Sequence, residues 1–427
     1  MAPPPDRVAS IMLSWHSLDL ISCKTLQTLW AGYGKICAIT ARARTDEAAT
    51  RLDALCGVES ESGAKSGKKG NTYPLILKYI SPPRKSGGSG DEDEDEGHLR
   101  KMLSYEVEQY FYSDVVPLLG DDIAVAKCLA STRDMDGEDG EEELEGLMAT
   151  IMVDLRPKYP VAGGKRSVLS EVQVRGALNW LAGFHGRSWS LKPDSLDECV
   201  LPPLEEAKRR GAGAQVDGAL WLNGGYTYLA TRRSEYASLV EDTDSEWSDA
   251  LCSPWEDSGL SVAEMAALFL TPCGRAEESY IHGDVKSENL FTTENGDGVA
   301  FFDFQYVGLG LGVCDLAKLF TCSVPLHTLV EDDEPLPERL EMGNGEKDLL
   351  EYYRMSLLQD DGGDPHLWEK FKRHWETALV DWCRFQASWG FWGNTEWLEA
   401  RVRSILADQG WKDWLLQEIS DIREQRY

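Results

Sequence analysis

Apolar residues are arranged differently in the two parts of the chain. Up to about residue 155 they come in short runs separated by polar stretches, and beyond it they recur mainly at helical spacing. Thr28–Ala43 (TLWAGYGKICAITARA) is apolar around a Gly-x-Gly turn, which predicts a β-hairpin. Tyr73–Ile80 (YPLILKYI) predicts a strand carrying one lysine, and Gly146–Leu155 predicts another apolar strand. Leu99–Leu119 holds helix-forming stretches that end near Pro117. Val168–His185, Val262–Leu270 and Pro365–Trp389 place apolar residues at helical spacing, while Pro272–Asp315 breaks into short strands and glycine turns. The pattern predicts an α+β protein: a small sheet with one helix, then a larger, mainly helical part. No internal repeat is visible.

Three polar stretches interrupt the first part. Residues 57–71 are rich in Gly, Ser and Lys, 81–97 combine Pro, Gly/Ser and the run DEDEDE, and 133–146 are acidic with glycines. None holds enough apolar surface to offset its ordering entropy, so all three are expected to be disordered, solvated insertions.

Charge sharpens this picture. The chain has 427 residues, 43 Lys plus Arg and 73 Asp plus Glu, for a net charge of −30. Asp91–Glu96, Asp134–Glu145 and Glu241–Asp257 together hold 21 acids and no base, which leaves the remainder at −9. So acidic a chain is a poor partner for nucleic acid or an anionic membrane surface. The ten cysteines form no C-x-x-C pair, and no apolar run reaches the ~20 residues of a membrane span. A reduced, cytoplasmic protein with no membrane partner is the expectation; oligomeric state is not readable.

The chemistry is concentrated in one block. His282-Gly283-Asp284-Val285-Lys286-Ser287-Glu288-Asn289 is followed, after the apolar run Val299–Phe302, by Asp303-Phe304-Gln305. Phosphoryl transfer from ATP needs these residue types in this order. A carboxylate (Asp284) orients the attacking hydroxyl, and an amide oxygen (Asn289) and a second carboxylate (Asp303) hold Mg²⁺ against the phosphates. Lys286 can reach the moving phosphoryl group.

The block YIHGDVKSENLF…FFDFQYVGLGLGVCDLAKLF resembles the catalytic segment of the aminoglycoside phosphotransferase and choline kinase-like superfamily. Phe304-Gln305 and GGYTYLATRRSEY (Gly224–Tyr236) bring it nearest to the ecdysteroid kinase-like branch, and RFQASWGFWGN (Arg384–Asn394) resembles related uncharacterised members. The resemblance runs from about Leu26 to Asn394. It implies a two-lobed protein kinase-like fold, with a β-rich N-lobe over residues 1–155 and a helical C-lobe over 156–427. The nucleotide is then expected in the cleft between the lobes. It further implies that Lys78 binds the α/β-phosphates, paired with Glu108 (Glu106 the runner-up), and that Gly32 and Gly34 form the phosphate-covering turn. Met152 to Asp154 offer backbone groups to adenine. His282 and His185 pack around the catalytic loop, and Asp315 braces it. The Gly308-x-Gly-x-Gly312 run is expected to be a turn.

The reaction so implied is ATP- and Mg²⁺-dependent phosphotransfer to a hydroxyl of a small molecule. A protein kinase is disfavoured, because only twelve residues separate Asp303 from Asp315 and no A-P-E follows. An inactive kinase-like binding or regulatory protein is disfavoured because Lys78, Asp284, Asn289 and Asp303 are all intact. A partner-binding role for the acidic insertions is a further alternative. Trp368, Trp375, Trp382 and Trp389 recur every seven residues, as a core seam or as lining of the acceptor pocket.

Overall fold

The computed structural model of the chain describes residues 3–57, 67–82, 92–213, 218–255, 258–330, 335–358 and 365–425. They divide into two compact units. The first comprises Met1–Gly120 with Val125–Lys158, and the second Asp121–Ala124 with Tyr159–Tyr427.

Period-two burial builds the first unit. Along β2 (Gly34–Ala43), Cys37, Ile39, Ala41 and Ala43 are buried and their neighbours are less so. Such alternation puts one face of a strand into a core. Along β3 (Thr72–Ile80), Tyr73, Leu75, Leu77 and Tyr79 enter the same core. Together with β1 (Leu18–Thr28), β4 (Cys128–Ser131) and β5 (Met148–Val153) they make an antiparallel sheet in the order β1-β2-β3-β5-β4. Helix α1 (Pro5–Ser14) covers that face with Val8, Ala9, Ile11, Met12 and Leu13. Helix α2 (Asp46–Cys56), capped by Thr45, adds Ala48, Ala49 and Leu52.

The alternation has a consequence for function. If Leu77 and Tyr79 face α1, Lys78 and Ile80 must face the other way. There Ile80 meets Tyr105 of α3 (Glu92–Tyr110), with Leu29 and Tyr33.

Sequence expectations need three corrections here. The first hairpin begins at Leu18, ten residues earlier than its apolar pattern suggests, because β1 is an exposed edge strand with little periodicity. The acidic stretch 133–146 is ordered. Glu141–Leu144 form a helical turn, Leu144 is fully buried in the sheet core, and Asp139 O accepts a bond from Trp15 Nε1. One apolar anchor and ties to α1 suffice to order an acidic segment. Of the stretch 81–97, residues 92–97 open helix α3; residues 83–91 lie outside the described residues. Likewise 58–66, in the stretch 57–71, lie outside them, whereas Lys69 N bonds Asp46 Oδ1 and Asn71 O accepts from Ala43 N.

The second unit is mainly helical. Helix α4 (Glu171–Ser188) starts at a Ser170/Gln173 capping box. Strands β6 (Val161–Ala162), β7 (Glu278–Ile281), β8 (Leu290–Thr292), β9 (Val299–Phe301) and β10 (Gly308–Leu311) form two small antiparallel sheets, β10-β7 and β6-β8-β9. The glycine run at 308–312 is therefore largely strand, not turn. A Cβ at Gly308 would lie 2.3 Å from Trp221 O, so glycine serves close packing there. Helices α5 (Asn344–Leu358), α6 (Pro365–Trp389) and α7 (Thr395–Ala407) follow. The tryptophan stripe of α6 splits in character. Trp375 and Trp382 are core, Trp375 donating to buried Glu346, whereas Trp389 is 56% exposed and lies over the Arg232 guanidinium. No helix among the described residues is long and apolar enough to cross a membrane.

Candidate active site

In the first unit, β3 and α3 bring together the lysine and glutamate singled out from the sequence. Lys78 pairs in register with Ile36 and Thr150 in the middle of the sheet, so its backbone is fixed on both sides. Its Nζ lies 2.5 Å from Glu108 Oε2, and both side chains are buried. Glu106, two residues earlier, is turned away on the less buried side of α3. A buried ion pair of this kind is expensive to desolvate, and it persists only with good geometry. Met152 lines the same small cavity as Lys78 and Glu108. Asp154 is buried and its carboxylate is engaged by Arg156, so the segment 152–154 has mainly backbone groups to offer a ligand.

Gly32 and Gly34 bracket the turn between β1 and β2. Gly32 has φ 73°, and a Cβ at Gly34 would lie 2.1 Å from Tyr79 O, so neither position accepts a side chain without distortion. Between them, Tyr33 is buried against α3.

In the second unit, the loop 282–289 is held from below. The support comes from Val313–Cys322, a helix that directly follows β10. Its Asp315 is fully buried and accepts His282 N at 2.7 Å, Gly283 N at 2.9 Å and His185 Nε2 at 3.2 Å. Burial alone would raise its pKa. The His185 bond and the nearby His185, Lys318 and His282 outweigh that and hold it below the usual carboxylate range. His185 Nδ1 in turn meets Tyr353 OH at 2.7 Å.

Lys318, one helical turn after Asp315, donates to Gly283 O at 2.6 Å. Residues at i and i+3 share a helix face. Asp315 and Lys318 therefore hold both polar ends of the peptide groups flanking Gly283. A third support is the strap Trp221–Gly225, which runs beside 305–309 through Trp221 N→Val307 O, Leu309 N→Trp221 O and Gly225 N→Tyr306 O. Gly283 (φ 81°) has no room for a side chain, since its Cβ would sit 2.6 Å from Gly225 N.

His282 is fully buried. Its Nδ1 accepts from Asp284 N at 3.2 Å, so Nε2 carries the proton and donates to Phe302 O at 2.9 Å. Burial lowers its pKa despite nearby Asp315 and Asp284, and keeps the ring neutral. That makes it an orienting group, with the Phe304 ring 4.6 Å away.

The polar side chains of the loop 284–289 meet one another above these backbone contacts. Asn289 Nδ2 donates to Asp284 O and Oδ2, both at 2.9 Å. Lys286 Nζ lies 3.0 Å from Asp284 Oδ2 and 3.1 Å from Glu288 Oε1. Burial works against the Lys286 charge, but Asp284 beside it prevails and raises its pKa. Asp303 adopts φ 67°, a left-handed conformation that aspartate tolerates better than most residues, and Gln305 Nε2 donates to its Oδ1 at 2.6 Å. With the Asn289 NH₂ turned to Asp284, its amide oxygen is the acceptor left for a cation. That oxygen and the Asp303 carboxylate are hard oxygen donors that fit Mg²⁺. Among the described residues no group of three or more His, Cys, Asp or Glu is placed to hold a metal ion.

Sequence reasoning missed Lys318, Gln305 and the Gly224-Gly225 strap as site components. Gln305 was signalled by its place two residues after Asp303, whereas the partner of Lys318, Gly283 O, is 35 residues away and no local motif names it.

Residues 161–358 match the sequence profile of the phosphotransferase enzyme family, APH. No curated protein matches the sequence. Among solved structures, the chain is similar to macrolide 2′-phosphotransferase from Brachybacterium faecium (12% identity, 95% of this chain and 99% of that one, TM-score 0.37). It is also similar to Plasmodium vivax ethanolamine kinase (12% identity, 93% and 84%, TM-score 0.34) and to Cryptosporidium parvum choline kinase (11% identity, 94% and 90%, TM-score 0.34). These likenesses are too distant to carry any residue's role over, and none singles out the ecdysteroid kinase-like branch. The profile match spans the Asp284 loop, Asp303 and Asp315, and over that region the chain is similar to the phosphotransferase enzyme family.

Proposed function

We propose that the protein is an ATP- and Mg²⁺-dependent kinase that phosphorylates a hydroxyl of a small molecule. The observation that carries this reading is the Asp284–Lys286–Asn289 cluster, held on a loop whose backbone is clamped by Asp315 and Lys318. Such a frame fixes a carboxylate without itself taking part in chemistry, which is what in-line phosphoryl transfer asks of a protein.

In the proposed reaction the acceptor oxygen attacks the γ-phosphorus. The bond from that phosphorus to the β,γ-bridging oxygen breaks, and ADP leaves with the electron pair. Asp284 orients the hydroxyl and takes its proton. Lys286 lies beside Asp284 and offers positive charge to the transferring oxygens. Lys78, kept in place by Glu108, serves the α/β-phosphates, and the turn at Gly32 and Gly34 offers backbone N–H groups to them. Asn289 and Asp303 would hold Mg²⁺, which supplies charge neutralisation on the phosphate oxygens when bound.

A small acceptor is supported by the segment after Asp303. Gly308–Leu311 is strand and the Asp315 helix begins at Val313, so no activation segment intervenes. Tyr226, whose ring lies 5.0 Å from Tyr306 and 5.7 Å from Phe385, sits within electrostatic reach of Asp284 and is an acceptor-side candidate. A screen of purified protein with Mg-ATP against hydroxylated metabolites, read as acceptor-dependent ADP release, tests the proposal. ADP release that no hydroxyl compound stimulates would count against it.

A further inference from the structure

We propose that Lys101 is a second polyphosphate-binding cation of this protein, presented by Tyr33 of the glycine turn. The inference rests on reading the first unit as a nucleotide site and adds a ligand-contacting residue to it.

His98, Lys101, Tyr105 and Glu108 are spaced by three, four and three residues, so they form one stripe along α3. Each is tied to the phosphate-side elements of the same unit. Glu108 pairs with Lys78, and the Lys78 ammonium also lies 5.7 Å from the Tyr105 ring. Tyr105 is 6.4 Å from Tyr33, ring to ring. Lys101 Nζ stands 4.7 Å above the face of Tyr33, and His98 Nδ1 is 2.7 Å from Tyr33 OH. Tyr33 is the middle residue of Gly32-Tyr33-Gly34. The stripe therefore connects the buried lysine to the turn that would cover the phosphates.

The charges along it are unequally spent. Lys78 is matched by buried Glu108, and Arg100 lies 3.6 Å from Glu96. Among the described residues Lys101 has no carboxylate within ion-pair distance; its ammonium rests on an aromatic face. A half-buried lysine left unneutralised is unusual in a chain of net charge −30. Holding it over Tyr33 keeps the charge partly desolvated and orders the long side chain. Lys101 and Glu108 are about 10 Å apart along the helix axis, the scale of an extended polyphosphate. Lys78 and Lys101 would then contact the same chain of phosphates at different points.

The test is nucleotide binding by the full-length protein, measured by calorimetry with ATP, ADP and AMP. Lys101→Met should weaken ATP by about tenfold, the scale of one charge-assisted contact, ADP less, and AMP not at all. Lys101→Arg should retain ATP affinity, and the ATP difference should shrink as salt rises. Equal weakening for all three nucleotides, or unchanged ATP affinity in Lys101→Met, overturns the inference while leaving the nucleotide site standing. A parent protein that binds none of the three overturns both.

Discussion

Asp315 holds the loop 282–289, which carries the proposed catalytic residues, by its backbone. Its carboxylate takes three donors, the backbone N–H groups of His282 and Gly283 and the ring N–H of His185, at 2.7–3.2 Å and with no solvent exposure. Asp315→Asn keeps the shape but replaces one acceptor oxygen with an NH₂, which must then face one of those donors. At roughly 1.5–3 kcal/mol per hydrogen bond to a charged group, plus an unsatisfied buried N–H, the cost is about 3–5 kcal/mol. The same change frees the peptides on either side of Gly283 and lets Asp284 drift, and misplacement by about 1 Å can cost roughly 10²-fold in rate. Urea unfolding and steady-state kinetics, run together on parent and variant, read both effects. Turnover should fall by about two orders of magnitude while the affinity for Mg-ATP changes little, because Lys78 and Glu108 belong to the other unit. A variant within 1 kcal/mol of the parent (about the net worth of one ordinary hydrogen bond) and within threefold of its turnover would refute the reasoning.

Two further outcomes follow from the same frame. Lys318→Met keeps the apolar stem but removes the donor to Gly283 O, so turnover should drop roughly tenfold or more with the ATP KM near the parent value, and Lys318→Arg should restore part of it; equal loss in kcat and nucleotide affinity would contradict a positioning role. Acid should destabilise the second unit before its carboxylates titrate. Burial, then Arg275 and Lys370, lower the His374 pKa to about 3, and burial lowers that of His282 as well. Both rings take a proton more readily when unfolded, so their contribution is present above about pH 6.5 and is lost as pH falls below it, for His374 down to about 3, at up to ~1.4 kcal/mol per pH unit per histidine. Denaturation midpoints across that range should fall, and His374→Gln should flatten the slope.

The clustering in the loop 282–289 was legible because it is local. Asp284, Lys286 and Asn289 lie within six residues of each other, and a short loop brings them together whatever surrounds it. Lys78 and Glu108 could be matched because a strand lysine amid apolar residues and a helix glutamate each have few alternatives. What escaped the sequence was context. Strand β1 is polar because it is an exposed edge, so its periodicity does not announce it. The stretch 133–146 looked disordered because one buried leucine and its ties to α1 do not show in composition. Lys318 and the strap at Gly224-Gly225 act through backbone groups of residues distant in sequence, and no local motif encodes such contacts. Trp375, Trp382 and Trp389 share one helical stripe, yet only packing decides that the first two are core and the third is exposed.

In the proposed reaction Asp284 acts on the acceptor and is not needed to hold the nucleotide. The most direct test of this is acceptor-dependent ADP release by parent and Asp284→Asn, with Mg-ATP affinity measured on the same preparations. The account predicts a loss of roughly 10²–10⁴-fold in turnover, the span of general-base contributions, with Mg-ATP affinity within a few-fold of the parent. An Asp284→Asn protein that turns over at the parent rate would contradict it.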